Sequence, residues 1–126
     1  MKENGLAFET SLSLRDAGQV VNAAFARAKA TVEQVQSNNN PLDGLDGVPD
    51  LAVVGSRQGM MNQWAVQAYF TKLDAGTGVQ FIALGDGAGS RMMSGARKSA
   101  SLSKSTDQMR QLVVALRAAD PQLREL

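Results

Sequence analysis

Arg57, Asp86 and Arg91, with the methionine pairs Met60-Met61 and Met92-Met93, are the residues whose types and spacing best suit a binding site. Methionine is unbranched and polarizable, so it suits apolar surfaces that adapt to what they hold. The competing explanation is that the methionines plug the open end of a core.

Covalent and acid–base chemistry is poorly provided for. The chain has no histidine and no cysteine. The commonest general base and the commonest thiol nucleophile are therefore missing. Thiolate or imidazole zinc and copper sites are excluded, as is a disulfide scaffold. An enzyme would have to work with Asp, Glu, Lys, Arg, Ser or Tyr, and the nameable pairs are Asp86 with Arg91, or Tyr69 with a nearby lysine. The segment Ser101-Leu102-Ser103-Lys104 fits S-x-x-K, but no S-D-N or K-T-G accompanies it, and a serine-rich stretch produces such a match by chance.

Three other constellations read as ordinary surface. The loop Gly85-Asp86-Gly87-Ala88-Gly89-Ser90 lacks the third glycine of the dinucleotide fingerprint and the Gly-Lys-Ser/Thr of a P-loop, and Asp86 would repel phosphate. Asp43, Asp46 and Asp50 offer hard oxygens to calcium without EF-hand spacing. Arg91, Arg97, Lys98, Lys104 and Arg110 form a basic segment with no interleaved aromatics, so nucleic-acid binding is not expected.

At 126 residues, with 44% apolar and 20% charged content, one domain spanning 1–126 is expected, large enough to bury a core. Net charge is +1, but residues 1–90 carry six Lys/Arg against nine Asp/Glu, and residues 91–126 carry seven against three. A solvated basic helix accounts for that asymmetry. No apolar run suggests a signal peptide or a membrane span, so the expected location is the cytoplasm. No cofactor is implied.

The elements that would position the methionines follow from periodicity. Leu6, Phe8 and Leu12 alternate with Glu9 and Ser11 in a first strand over 5–12. Ser13 and Asp16 suggest a helix start, and Ala17, Val20, Val21, Ala24, Phe25, Ala28, Val32 and Val35 predict a helix over Arg15–Gln36. A polar loop spans 37–50. Strands are predicted at 51–55, 63–73 and 79–84, with turns at 59–62 and 74–78. In the 63–73 strand, Trp64, Val66, Ala68 and Phe70 share one face, and Gln63, Gln67, Tyr69 and Thr71 the other. A short edge strand is predicted near 99–103. Ser105 with Gln108 suggests the start of a last helix that stops at Asp120-Pro121.

The order β-α-β-β-β-(β)-α predicts an α+β fold: a two-layer domain with an antiparallel sheet of four to five strands covered on one face by two helices. A meander of the middle strands would put Met60-Met61 and Met92-Met93 at one end of the sheet, beside Arg57, Asp86 and Arg91. The element order resembles the helix-grip folds (the START and Bet v 1-like group) in reduced form, and the single repeat of TATA-binding-protein-like domains. One long helix stands where helix-grip members usually have two short ones. The resemblance implies a module that holds an apolar ligand or a protein partner between helix and sheet.

The leading expectation is thus a non-catalytic binding or interaction module for an apolar ligand or protein partner. The alternatives are a small enzyme without His or Cys, and a homo-oligomeric structural protein, such as a homodimer paired through an edge at 5–12 or 51–55.

Overall fold

A computed structural model describes residues 5–34, 49–57, 63–84 and 102–126. In chain order the elements are β1 (Gly5–Thr10), α1 (Leu14–Arg27), β2 (Thr31–Gln34), β3 (Leu51–Arg57), β4 (Trp64–Leu73), β5 (Gly76–Leu84), α2 (Leu102–Ala119) and β6 (Arg124–Glu125). The six strands form one open antiparallel sheet in the order β2-β3-β4-β5-β1-β6.

The meander arises where the sequence alternates. Leu51 faces Phe70 and Arg57 faces Trp64 across β3 and β4, while Ala65 faces Leu84 and Leu73 faces Gly76 across β4 and β5. Asp74-Ala75 is the two-residue turn of the second hairpin. Gly76 is needed there, because a Cβ would sit 2.0 Å from the carbonyl oxygen of Thr10.

Both helices lie on one face. Ala17, Val21 and Phe25 recur at four-residue spacing on α1, and Met109, Leu112 and Leu116 make the matching stripe on α2. They pack on Phe8, Val53, Trp64, Val66, Ala68, Phe70, Val79, Phe81 and Ala83. The two-layer α+β architecture is as expected, as is the division of β4 between two faces. The second face is buried as well. It carries Val54, Ala65 and Leu84 flanked by Ile82, together with Ser56, Gln67, Tyr69 and Gln80. On this face the Tyr69 hydroxyl donates to Gln67 Oε1 at 2.9 Å.

Several boundaries differ from expectation. The first helix stops at Arg27, nine residues short of the predicted Gln36, and residues 31–34 form a strand on β3. The chain turns through Lys29, which has a positive φ of 61°. The Ala30 N–H donates to the Phe25 carbonyl and the Lys29 N–H to the Ala26 carbonyl, both at 3.0 Å. These two bonds make a Schellman ending, with lysine in the left-handed position that glycine usually holds.

The sheet has six strands rather than four or five. Asp120-Pro121-Gln122 turns the chain back, with Leu123 N–H donating to the Asp120 carbonyl at 3.0 Å, so that β6 pairs with β1. The strands at 5–12 and 51–55 are consequently not edges: β6 lies outside β1 and β2 outside β3. The last helix begins at Leu102, so residues 102 and 103 of the predicted edge strand are helical, and residues 99–101 lie outside the described residues. Ser105 is not its N-cap. The Ser105 hydroxyl instead accepts the Ala65 N–H at 3.0 Å, tying α2 to the start of β4.

Among the described residues, no helix is long and apolar enough to cross a membrane.

Candidate functional site

Four elements meet at the end of the sheet where β3 stops and β4 starts. Arg57 closes β3 opposite Trp64, on the face that the helices cover. The C-terminal end of α1 arrives because Phe25 stacks on Trp64, with ring centroids 6.3 Å apart and planes 20° from parallel. The stack requires Gly55 on β3, since a Cβ there would fall 2.3 Å from Phe25 Cε1. The N-terminal end of α2 arrives through the Ser105–Ala65 hydrogen bond.

Between these elements lies a cleft of about 340 Å³ lined by Arg27, Ala28, Lys29, Arg57, Trp64, Lys104, Asp107 and Gln108. Four cationic side chains face one carboxylate. Among the described residues, Arg27, Lys29 and Arg57 have no ion pair or side-chain hydrogen bond. The positive end of the α2 dipole adds to their field, while the negative end of α1 opposes it by a similar fraction of a charge. Among the described residues, four full charges against one outweigh these dipole fractions and make the lining net positive.

Trp64 is only 3% exposed and one face is taken by Phe25, so it contributes an apolar wall rather than a stacking platform. The Schellman turn brings Lys29 to the cleft, because the left-handed residue reverses the chain immediately after α1.

A narrower groove of about 200 Å³ continues from the cleft along the seam between the helices. It shares Arg27, Ala28 and Gln108 with the cleft and adds Ala24, Phe25, Gln111 and Leu112. A third hollow, at the opposite end, is lined by Glu9, Thr10, Ser11, Ala75, Gln122 and Arg124. Glu9 and Arg124 pair with one another there, leaving no net charge to recruit a ligand.

Next to that third hollow, Asp120 Oδ2 accepts from the Thr10 hydroxyl at 2.6 Å and from the Ser11 N–H at 2.8 Å, and Oδ1 accepts from the Gln122 N–H at 3.0 Å. The Thr10 and Ser11 bonds hold the Asp120 carboxyl below the usual carboxylate range, against the opposing effect of burial. Asp120 thereby fixes the end of α2 to β1.

Of the residues nominated from sequence, Arg57 is in the cleft. Met60, Met61, Asp86, Arg91, Met92 and Met93 lie outside the described residues. The connections that carry them leave from Arg57 and Leu84, and the register puts both departures at this end of the sheet. Tyr69 is buried on the second face, away from the cleft. Asp50 of the acidic cluster accepts the Lys72 N–H at 2.7 Å, a role in strand pairing; Asp43 and Asp46 lie outside the described residues. Of the basic segment, Lys104 lines the cleft and Arg110 is exposed on α2.

Sequence reasoning missed Arg27, Lys29, Asp107 and Gln108. Their helical positions read as solvated, and only the docking of two helix ends brings them together.

Comparison with known protein families, curated proteins and solved structures gives no significant match to this chain.

Proposed function

We propose that the chain is a non-catalytic binding module, and that its ligand carries an anionic group into the cleft beside Trp64. The observation that carries this reading is the convergence of Arg27 and Lys29 from the end of α1, Arg57 from β3 and Lys104 from α2 around a single carboxylate. Cations gathered at one concave place attract counter-charge and focus its field. A volume of about 340 Å³ falls within the range of roughly 300–1,000 Å³ typical of small-molecule sites. A base-stacking role in nucleic-acid binding is disfavoured by the buried Trp64.

Trp64 is the only tryptophan in the chain and lines the cleft, so its fluorescence is a built-in reporter. Titration with methyl phosphate should change its emission, and the apparent affinity should fall as salt is added, because exposed charges are screened. Arg57→Gln should weaken that binding several-fold. An unchanged emission together with no heat of binding in calorimetry would remove the proposal.

A further inference from the structure

The cleft does not end at its cations, and what adjoins it suggests the rest of the ligand. We infer that the occupant is a small amphipathic anion: its head sits among Arg27, Lys29 and Arg57, and a short unbranched apolar tail lies in the groove between α1 and α2. This rests on the anion-binding reading above and adds the chemistry of the tail.

The groove is continuous with the cleft through Arg27, Ala28 and Gln108. Its base is apolar, formed by the buried Phe25 and Leu112. The α1 wall is made of Ala24 and Ala28, one turn apart on the same side of the helix, and their small side chains are what leave the seam open. On α2, Leu112 lies one turn beyond Gln108. Both helices therefore extend the groove away from Trp64 by about one turn, roughly 5–6 Å. That length fits a tail of a few carbons and not a long acyl chain. The groove runs along the outer seam of two helices, so it is distinct from a cavity enclosed between helix and sheet.

The surroundings favour a soluble amphiphile over a membrane. The exposed large hydrophobic residues among those described are Val32 on β2, Val114 on α2 and Leu126 at the C-terminus. None of them lines the cleft or the groove, so the described residues supply no apolar rim there to enter a bilayer.

Calorimetry with methyl phosphate and hexyl phosphate, which share a head and differ in tail, tests the inference. Hexyl phosphate should bind at least about tenfold more tightly, the gain expected when about two of its added methylenes are buried. Gln111→Leu, at an exposed position on the groove wall, should widen that gap without affecting methyl phosphate. Ala24→Leu should close the gap by filling the groove, and circular dichroism would verify that the variant folds. If the two esters bind equally and Arg57→Gln weakens both, the tail is wrong and the anion site stands. If neither binds, both proposals fall. If vesicles containing phosphatidylglycerol bind while monomeric hexyl phosphate does not, the ligand is a membrane headgroup and the inference is overturned.

Discussion

Phe25 lies nearly parallel to Trp64, one ring at the end of α1 and the other at the start of β4, with 6.3 Å between their centroids. This contact decides where the cationic end of α1 comes to rest. It is possible because Gly55, on β3 opposite Val66 and two residues before Arg57, presents no side chain to the Phe25 ring.

Gly55→Ala should therefore destabilise the fold and loosen the cleft together. A Cβ 2.3 Å from Phe25 Cε1 cannot be accommodated without moving the ring, and overpacking of this kind costs about 1–3 kcal/mol. Urea unfolding should give a lower midpoint, and Trp64 emission in the folded state should shift as the stack opens. An unchanged midpoint would mean that Phe25 has an equally good position elsewhere.

Lys29 offers a case where stability and binding should move in opposite directions. Its φ of 61° is a left-handed conformation that a side chain makes unfavourable by roughly 1 kcal/mol. Lys29→Gly should relieve that strain, stabilising the Schellman ending by up to about 1 kcal/mol after allowing for glycine's freer unfolded state. The same change removes one cation from the cleft, so methyl phosphate should bind several-fold more weakly. A variant that is both more stable and equally tight in binding would take Lys29 out of the site.

The same residue shows why some of the structure was legible in the sequence and some was not. Strict alternation in β4 identified both its faces, and the hairpin chemistry at Asp74-Ala75-Gly76 fixed the meander. The end of α1 was hidden because no glycine marks it: Lys29 takes the left-handed place, and Ala28, Val32 and Val35 happen to continue the helical spacing. β2 was hidden because all four of its residues are exposed, which leaves no period-two pattern to read. Arg57 could be placed at the right end of the sheet from strand order alone. Arg27 and Lys29 could not, since helix-surface cations look alike until tertiary packing chooses which helix end sits beside Trp64.

Ser105 tests the other support of the cleft. Its hydroxyl accepts the N–H of the fully buried Ala65, so Ser105→Ala leaves that donor unpaired. A loss of about 1–3 kcal/mol in denaturant unfolding is expected. The N-terminal turn of α2, which carries Lys104, should also lose protection in hydrogen exchange. Retained protection would mean that α2 is held at this end by its apolar stripe alone.

Asp120 predicts how stability responds to acid. Its three donors are the Thr10 hydroxyl and the N–H groups of Ser11 and Gln122, and together they favour the charged carboxylate. The folded-state pKa is therefore lowered relative to the unfolded value of about 3.9. The unfolded chain then takes up its proton at a higher pH than the folded one. The stabilisation is complete above about pH 5, declines as pH falls through the unfolded value, and is gone below the folded one. Asp120→Asn keeps the shape but replaces one acceptor oxygen with an NH₂ group, which must face a hydrogen-bond donor. At neutral pH the variant should be less stable by about 1.5–3 kcal/mol, the usual worth of hydrogen bonds to a charged group. The difference between the two proteins should then shrink as the pH is lowered past 4, because the unfolded wild-type chain gains a proton there that its folded Asp120 carboxylate does not yet accept. A difference that stayed constant from pH 7 down to the acid transition would show that the geometry of the Asp120 turn, and not its charge, anchors α2 to β1.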